Sequence, residues 1–111
     1  QEENESFYHR LLFAYLFKLE SLVFSEQPGA MGTPDMVFIW PEKALYAIIE
    51  LKYESTVDDT NIEKKLIQLA QKALKTIDSK DYWQPYKAQA KTLIKIGIGV
   101  VSRGRCLALT D

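Results

Sequence analysis

The sequence predicts an α/β domain, a mixed sheet with helices packed against it, and three observations carry that expectation. Apolar residues recur at spacings of three and four over residues 5–20 and again over 62–77. Runs rich in β-branched and aromatic residues occupy 36–40, 45–53 and 91–101. Clusters of Gly, Pro, Ser, Thr and Asp at 27–34 and 55–59 separate those runs and forbid regular structure there. With 111 residues, 47% of them hydrophobic and 26% charged, the chain has material for one core, hence one domain over 1–111.

The first helix is expected from Glu5 to about Glu20, with Phe7, Leu11, Leu12, Tyr15, Leu16 and Leu19 as its core stripe. Glu5 and His9 are four apart and share one side of its first turns. The plain reading of that pair is a surface Glu and His; Glu5 becomes functional only if this helix end points at Asp35 and Glu50. Leu22 to Ser25 is a short strand candidate, and Gln27 to Pro34 is a loop. Asp35 then opens a second strand, Met36 to Trp40, which Pro41-Glu42-Lys43 turns as a hairpin into Leu45 to Tyr53. Antiparallel pairing of these two strands brings Asp35 beside Glu50.

Side chains alternate across a strand, so Glu50 and Lys52 share a face with Ile48, while Ile49, Leu51 and Tyr53 take the other. Two charges on one face of a largely buried strand are costly unless paired, hydrated in a cleft or bound to a metal. Asp35, Glu50 and Lys52 are therefore the candidate site.

Thr60-Asn61-Ile62-Glu63 has the pattern of a capping box, with Thr60 as the cap of a long helix. Ile62, Leu66, Leu69, Ala70, Ala73, Leu74 and Ile77 form its buried stripe, and Lys64, Gln68, Gln71 and Lys75 recur along the other side. That second stripe is either a solvated face or a surface for phosphates and sugars. Asp81 to Tyr86 is an aromatic turn or short helix that closes the core or stacks on bases. Lys91 to Val101 is a further strand, in which Gly97 and Gly99 leave one face bare for a helix to approach. Ser102 to Arg105 turns the chain into a final strand, Cys106 to Leu109.

Residues 1–60 hold four Lys and Arg against eleven Asp and Glu, residues 61–111 ten against four, although the whole chain carries only −1. Such asymmetry fits an acidic metal-binding side facing a basic phosphate-binding side, or simply two solvated faces of opposite sign. Cys106 is the single cysteine, so no internal disulfide exists, and a reducing, cytoplasmic setting is the expectation. One His and one Cys cannot supply a usual zinc ligand set. No apolar run approaches the roughly 20 residues that cross a bilayer, and no membrane partner is expected. A start at Gln1 is read as the C-terminal part of something longer.

Gly32-Thr33-Pro34-Asp35, a hairpin, and Ile49-Glu50-Leu51-Lys52 together resemble the PD-(D/E)XK nuclease superfamily, in spacing and element order, over nearly the whole chain. Glu5-Ser6-Phe7-Tyr8-His9, then Lys72 to Ile77 followed by Tyr82-Trp83-Gln84-Pro85-Tyr86, look like the branch found behind an AAA-ATPase-like domain in bacterial and archaeal proteins. The resemblance implies a restriction-endonuclease-like αβββαβ core and metal-dependent hydrolysis of nucleic-acid phosphodiesters, DNA favoured over RNA. It implies Mg²⁺ or Mn²⁺ on Asp35, Glu50 and the Leu51 carbonyl, with Glu5 as an additional ligand directly or through water. Lys52 would orient or deprotonate the attacking water or meet charge on the phosphate. His9 and Tyr86 are accessory candidates. Thr76 stands where relatives carry a Gln, and Gln68 or Gln71 is the substitute considered for it. An N-terminal ATPase-like domain and a homodimer are the implied protein partners. A catalytically inactive nucleic-acid-binding or interaction module, with Glu50 and Lys52 as a structural ion pair, is the alternative.

Overall fold

The computed structural model describes residues 4–8, 10–11, 22–25, 35–55 and 59–110, with backbone alone at 22–25, 59 and 104. Five strands form one sheet in the order β1-β2-β3-β4-β5: β1 (Leu22–Ser25), β2 (Met36–Trp40), β3 (Leu45–Glu54), β4 (Thr92–Val101) and β5 (Arg105–Thr110). The three ladders between sequence neighbours, β1 with β2, β2 with β3 and β4 with β5, are antiparallel. β3 and β4 run parallel, as strands must when a long crossover returns the chain to the same end of the sheet. That crossover contains the long helix Ile62–Ser79.

The predicted hairpin between β2 and β3 forms through a 3-10 turn at Pro41–Lys43 and a left-handed Ala44 (φ 47°), whose amide donates to the Pro41 carbonyl. Proline presets the turn's first dihedral, and the left-handed residue reverses the chain within four positions. The resulting register pairs Met36 with Ile49 and Val37 with Ile48. One rung further on, Asp35 therefore stands opposite Glu50.

The long helix covers one face of the sheet. Its Leu66, Leu69, Ala70, Ala73 and Ile77 are buried, and Ile77 joins Val37, Ile39 and Ile48 in one apolar cluster. The bare faces of Gly97 and Gly99 are used as the sequence implies. A Cβ on Gly97 would collide with the Ala70 carbonyl and lie 2.9 Å from Leu74 Cγ, and one on Gly99 would lie 2.5 Å from the Leu66 carbonyl. The opposite face carries Met36, Ala47 and Ile49 with Phe38, Ile94, Ile96 and Ile98 around them. Tyr8, from the N-terminal helical residues 5–8 and 10–11, packs there against Leu51 and Val100. The remainder of the predicted first helix, to Glu20, and the loop to Pro34 lie outside the described residues.

The capping box needs correction. A 3-10 turn at Asp59–Asn61 leads into the helix, so the cap position falls to Asn61 and carries no side-chain capping hydrogen bond. Tightening the entry into a 3-10 turn shifts the register by one residue and takes Thr60 out of the cap position. Among the described residues no helix is long and apolar enough to cross a membrane.

Candidate active site

β2 and β3 diverge in length at one end: the last β2 rung is Met36 with Ile49, and β3 continues to Glu54. Asp35 and Glu50 sit at this open end, on the face beneath the long helix, because Glu50 pairs with Gly97 and Lys52 with Gly99 in the parallel ladder. The two acids are locked to each other through backbone. The Asp35 amide donates to Glu50 Oε1 at 3.2 Å, and the Leu51 amide donates to Asp35 Oδ2 at 2.8 Å. A strand residue projects its N–H and C=O to the same side, so the bond from Leu51 to Asp35 also aims the Leu51 carbonyl at the Asp35 edge. Lys52 Nζ lies 3.5 Å from Glu50 Oε2 and keeps about a quarter of its side chain in solvent, 27%.

Glu50 is 6% exposed, a carboxylate inside the fold. Burial, then the nearby charge of Asp35, push its pKa from 4.5 up to about 7, against the opposing pull of the Asp35 amide and Lys52. Two neighbouring carboxylates that resist joint ionisation, with a carbonyl aimed at the same edge, make a hard-oxygen set suited to Mg²⁺ or Mn²⁺. A divalent cation would relieve the repulsion that Lys52 only partly offsets.

Other predicted residues fall elsewhere. Glu5 is exposed, on the helical residues whose Tyr8 packs on the opposite face of the sheet. Among the described residues no three His, Cys, Asp or Glu side chains gather into a metal-holding group. Asp35 and Glu50 meet, and Glu5 does not complete a three-group cluster with them. Thr76 Oγ1 donates to the Lys72 carbonyl at 3.0 Å, back into its own helix, instead of reaching out. Lys65, Lys72 and Thr76 recur at spacings of seven and four along one helix edge, and Lys65 reaches Glu54 of β3 at 2.6 Å. Gln68 and Gln71 line a separate open groove of ≈ 570 Å³ with Thr60, Asn61, Glu63, Lys64, Ile67 and none of the candidate acids. Their distance from the acids follows from the helical period, which turns those positions away from β3. Tyr86 packs on Tyr46, with ring centroids 5.7 Å apart, four residues and thus roughly 13 Å along β3 from Glu50. His9 lies outside the described residues.

One residue near the acids was missing from the sequence-derived set. Tyr82 is buried in the cluster that holds Val37 and Ile48, and burial first, then Glu50 and Asp35, raise its pKa above the ordinary value. The available signal was chemical: a tyrosine at a core position carries a hydroxyl that packing does not require.

A long helix over the parallel pair of a mixed sheet, with an acid pair and a lysine at the open end of its antiparallel hairpin, is a restriction-endonuclease-like arrangement. The family model of the PD-(D/E)XK nuclease superfamily matches residues 3–108, and the chain belongs to that superfamily. No curated protein matches it. Members of the superfamily generally use divalent metals.

Proposed function

We propose that the chain hydrolyses nucleic-acid phosphodiesters with Mg²⁺ or Mn²⁺, DNA in preference to RNA. The observation that carries this reading is the mutual lock of Asp35 and Glu50, with Lys52 3.5 Å from Glu50, at an open strand end. Asp35, Glu50 and the Leu51 carbonyl would hold the cation, which when bound supplies Lewis acidity toward phosphate and water. The Lys52 ammonium orients the attacking water and meets negative charge building on the phosphate. The water oxygen forms a new bond to phosphorus as the bond to the leaving sugar oxygen breaks. The water's proton passes to solvent, and the leaving oxygen takes one from solvent. Asp35 and Glu50, fixed by backbone amides, need no rearrangement to keep their places during the step.

In D35A, E50A and K52A, Mg²⁺-dependent cleavage of a DNA substrate should drop at least about 100-fold, with the circular dichroism spectrum preserved. Undiminished cleavage in all three removes the reading. One pair of observations favours a non-catalytic binding module instead: Lys52 is already paired with Glu50, and Thr76 turns its hydroxyl inward. That module has no metal site, so calorimetry showing Mn²⁺ binding that D35A abolishes decides against it.

Residues 5–9, 72–77 and 82–86 support attachment behind an AAA-ATPase-like domain. The coding frame upstream should then carry a Gly-x-x-x-x-Gly-Lys-Ser/Thr phosphate loop. An upstream frame without such a loop removes the association.

A further inference from the structure

Tyr82 is held beside the acid pair by features that have nothing to do with its hydroxyl. Its amide donates to the Ile77 carbonyl at 3.2 Å, and the left-handed Asp81 (φ 53°) swings the chain back over the sheet after the long helix. Aspartate tolerates that conformation better than most residues. The ring then seats among Val37, Ile39, Ile48 and Ile77. Val37 and Ile48 are paired across the hairpin, on the same face as Asp35 and Glu50 and two residues along each strand, about 7 Å away.

Phenylalanine would fill that seat equally well. Among the described residues no hydrogen bond engages the Tyr82 hydroxyl, and no fully buried side-chain nitrogen or oxygen lacks a partner, so this oxygen still meets solvent. The ring packs on Val37 and Ile48, so Tyr82 lies on the face of the sheet that carries Asp35 and Glu50, and a phenol is a neutral hydrogen-bond donor. When ionised, the two carboxylates only accept hydrogen bonds and repel phosphate, and Lys52 is drawn to Glu50. Among the described residues, Tyr82 offers a phosphate placed over the acids an uncommitted neutral donor.

We infer that Tyr82 is a substrate-contacting residue, its phenolic hydroxyl donating a hydrogen bond to a non-bridging oxygen of a nucleic-acid phosphate held over Asp35 and Glu50. This rests on the phosphodiester reading above. The test uses the 111-residue chain and its Y82F variant, with a fluorescein-labelled single-stranded DNA oligonucleotide in Ca²⁺, so that binding is read apart from turnover, and with Mn²⁺ calorimetry. Y82F should keep the parent's thermal midpoint and Mn²⁺ affinity within twofold and bind the oligonucleotide about tenfold more weakly. Equal oligonucleotide affinity in both proteins overturns the Tyr82 contact and leaves the phosphodiester reading standing. A parallel loss of Mn²⁺ affinity in Y82F also overturns it, because the hydroxyl would then be supporting the acids. A parent that binds neither Mn²⁺ nor oligonucleotide takes down both. Should Y82F melt early, nitration of the parent by tetranitromethane, read by mass spectrometry, replaces the variant. Protection of Tyr82 by the oligonucleotide supports the contact, and unchanged nitration overturns it.

Discussion

At the scale of single residues, the cost of Glu50 is the feature that most needs an outlet. A carboxylate that titrates at about 7 in the fold and at 4.5 when free binds its proton more tightly in the folded state. Its contribution to stability is thus fully present below pH 4.5 and is lost as pH rises through about 7, a difference on the order of 3 kcal/mol. In chelator, E50Q should gain stability relative to the parent from about pH 5 to about pH 8, measured by urea unfolding at each pH. Parallel pH profiles for the two proteins would contradict the burial argument. The same residue shows why sequence could single out a candidate: a Glu and a Lys on one face of an apolar strand are conspicuous without any structure. Tyr82 was not conspicuous, since an aromatic after a helix is ordinary core material and its link to the acids runs through space.

At the scale of elements, the site depends on how closely the long helix lies on β4. Gly97 and Gly99 allow that approach, and they are the parallel-ladder partners of Glu50 and Lys52. The Gly97→Ala substitution places a methyl group against the Ala70 carbonyl and 2.9 Å from Leu74 Cγ. Backbone cannot swing aside as a side chain does, so the helix must lift, at a cost of about 1–3 kcal/mol. Urea unfolding should show that loss, and a midpoint unchanged from the parent would mean the helix sits less tightly than its contacts imply. Periodicity alone located this helix and its buried stripe, and alternation located the glycines opposite it. The helix start was misplaced because Thr60 and Glu63 satisfy a capping pattern that the preceding 3-10 turn displaces.

At the scale of the whole molecule, the sheet brings together groups from separate parts of the chain. Asp35 precedes β2, Glu50 and Lys52 lie late in β3, and Tyr82 follows the long helix. The basic second half of the sequence supplies Lys65 on the long helix, which pairs with Glu54 from the acidic first half. The sequence by itself determined the α/β class, the order of strands and helix, the hairpin register and the three charged candidates. Each is written in consecutive residues as spacing, alternation or a turn former, and such local patterns need no long-range knowledge. Tertiary structure alone decided that Thr76 bonds its own helix, that Gln68 and Gln71 face a different groove and that Tyr82 packs on the face of the acid pair. Those outcomes depend on helix rotation and on the face of the sheet each element covers, which are fixed by the packing of distant segments and not by neighbours in the chain.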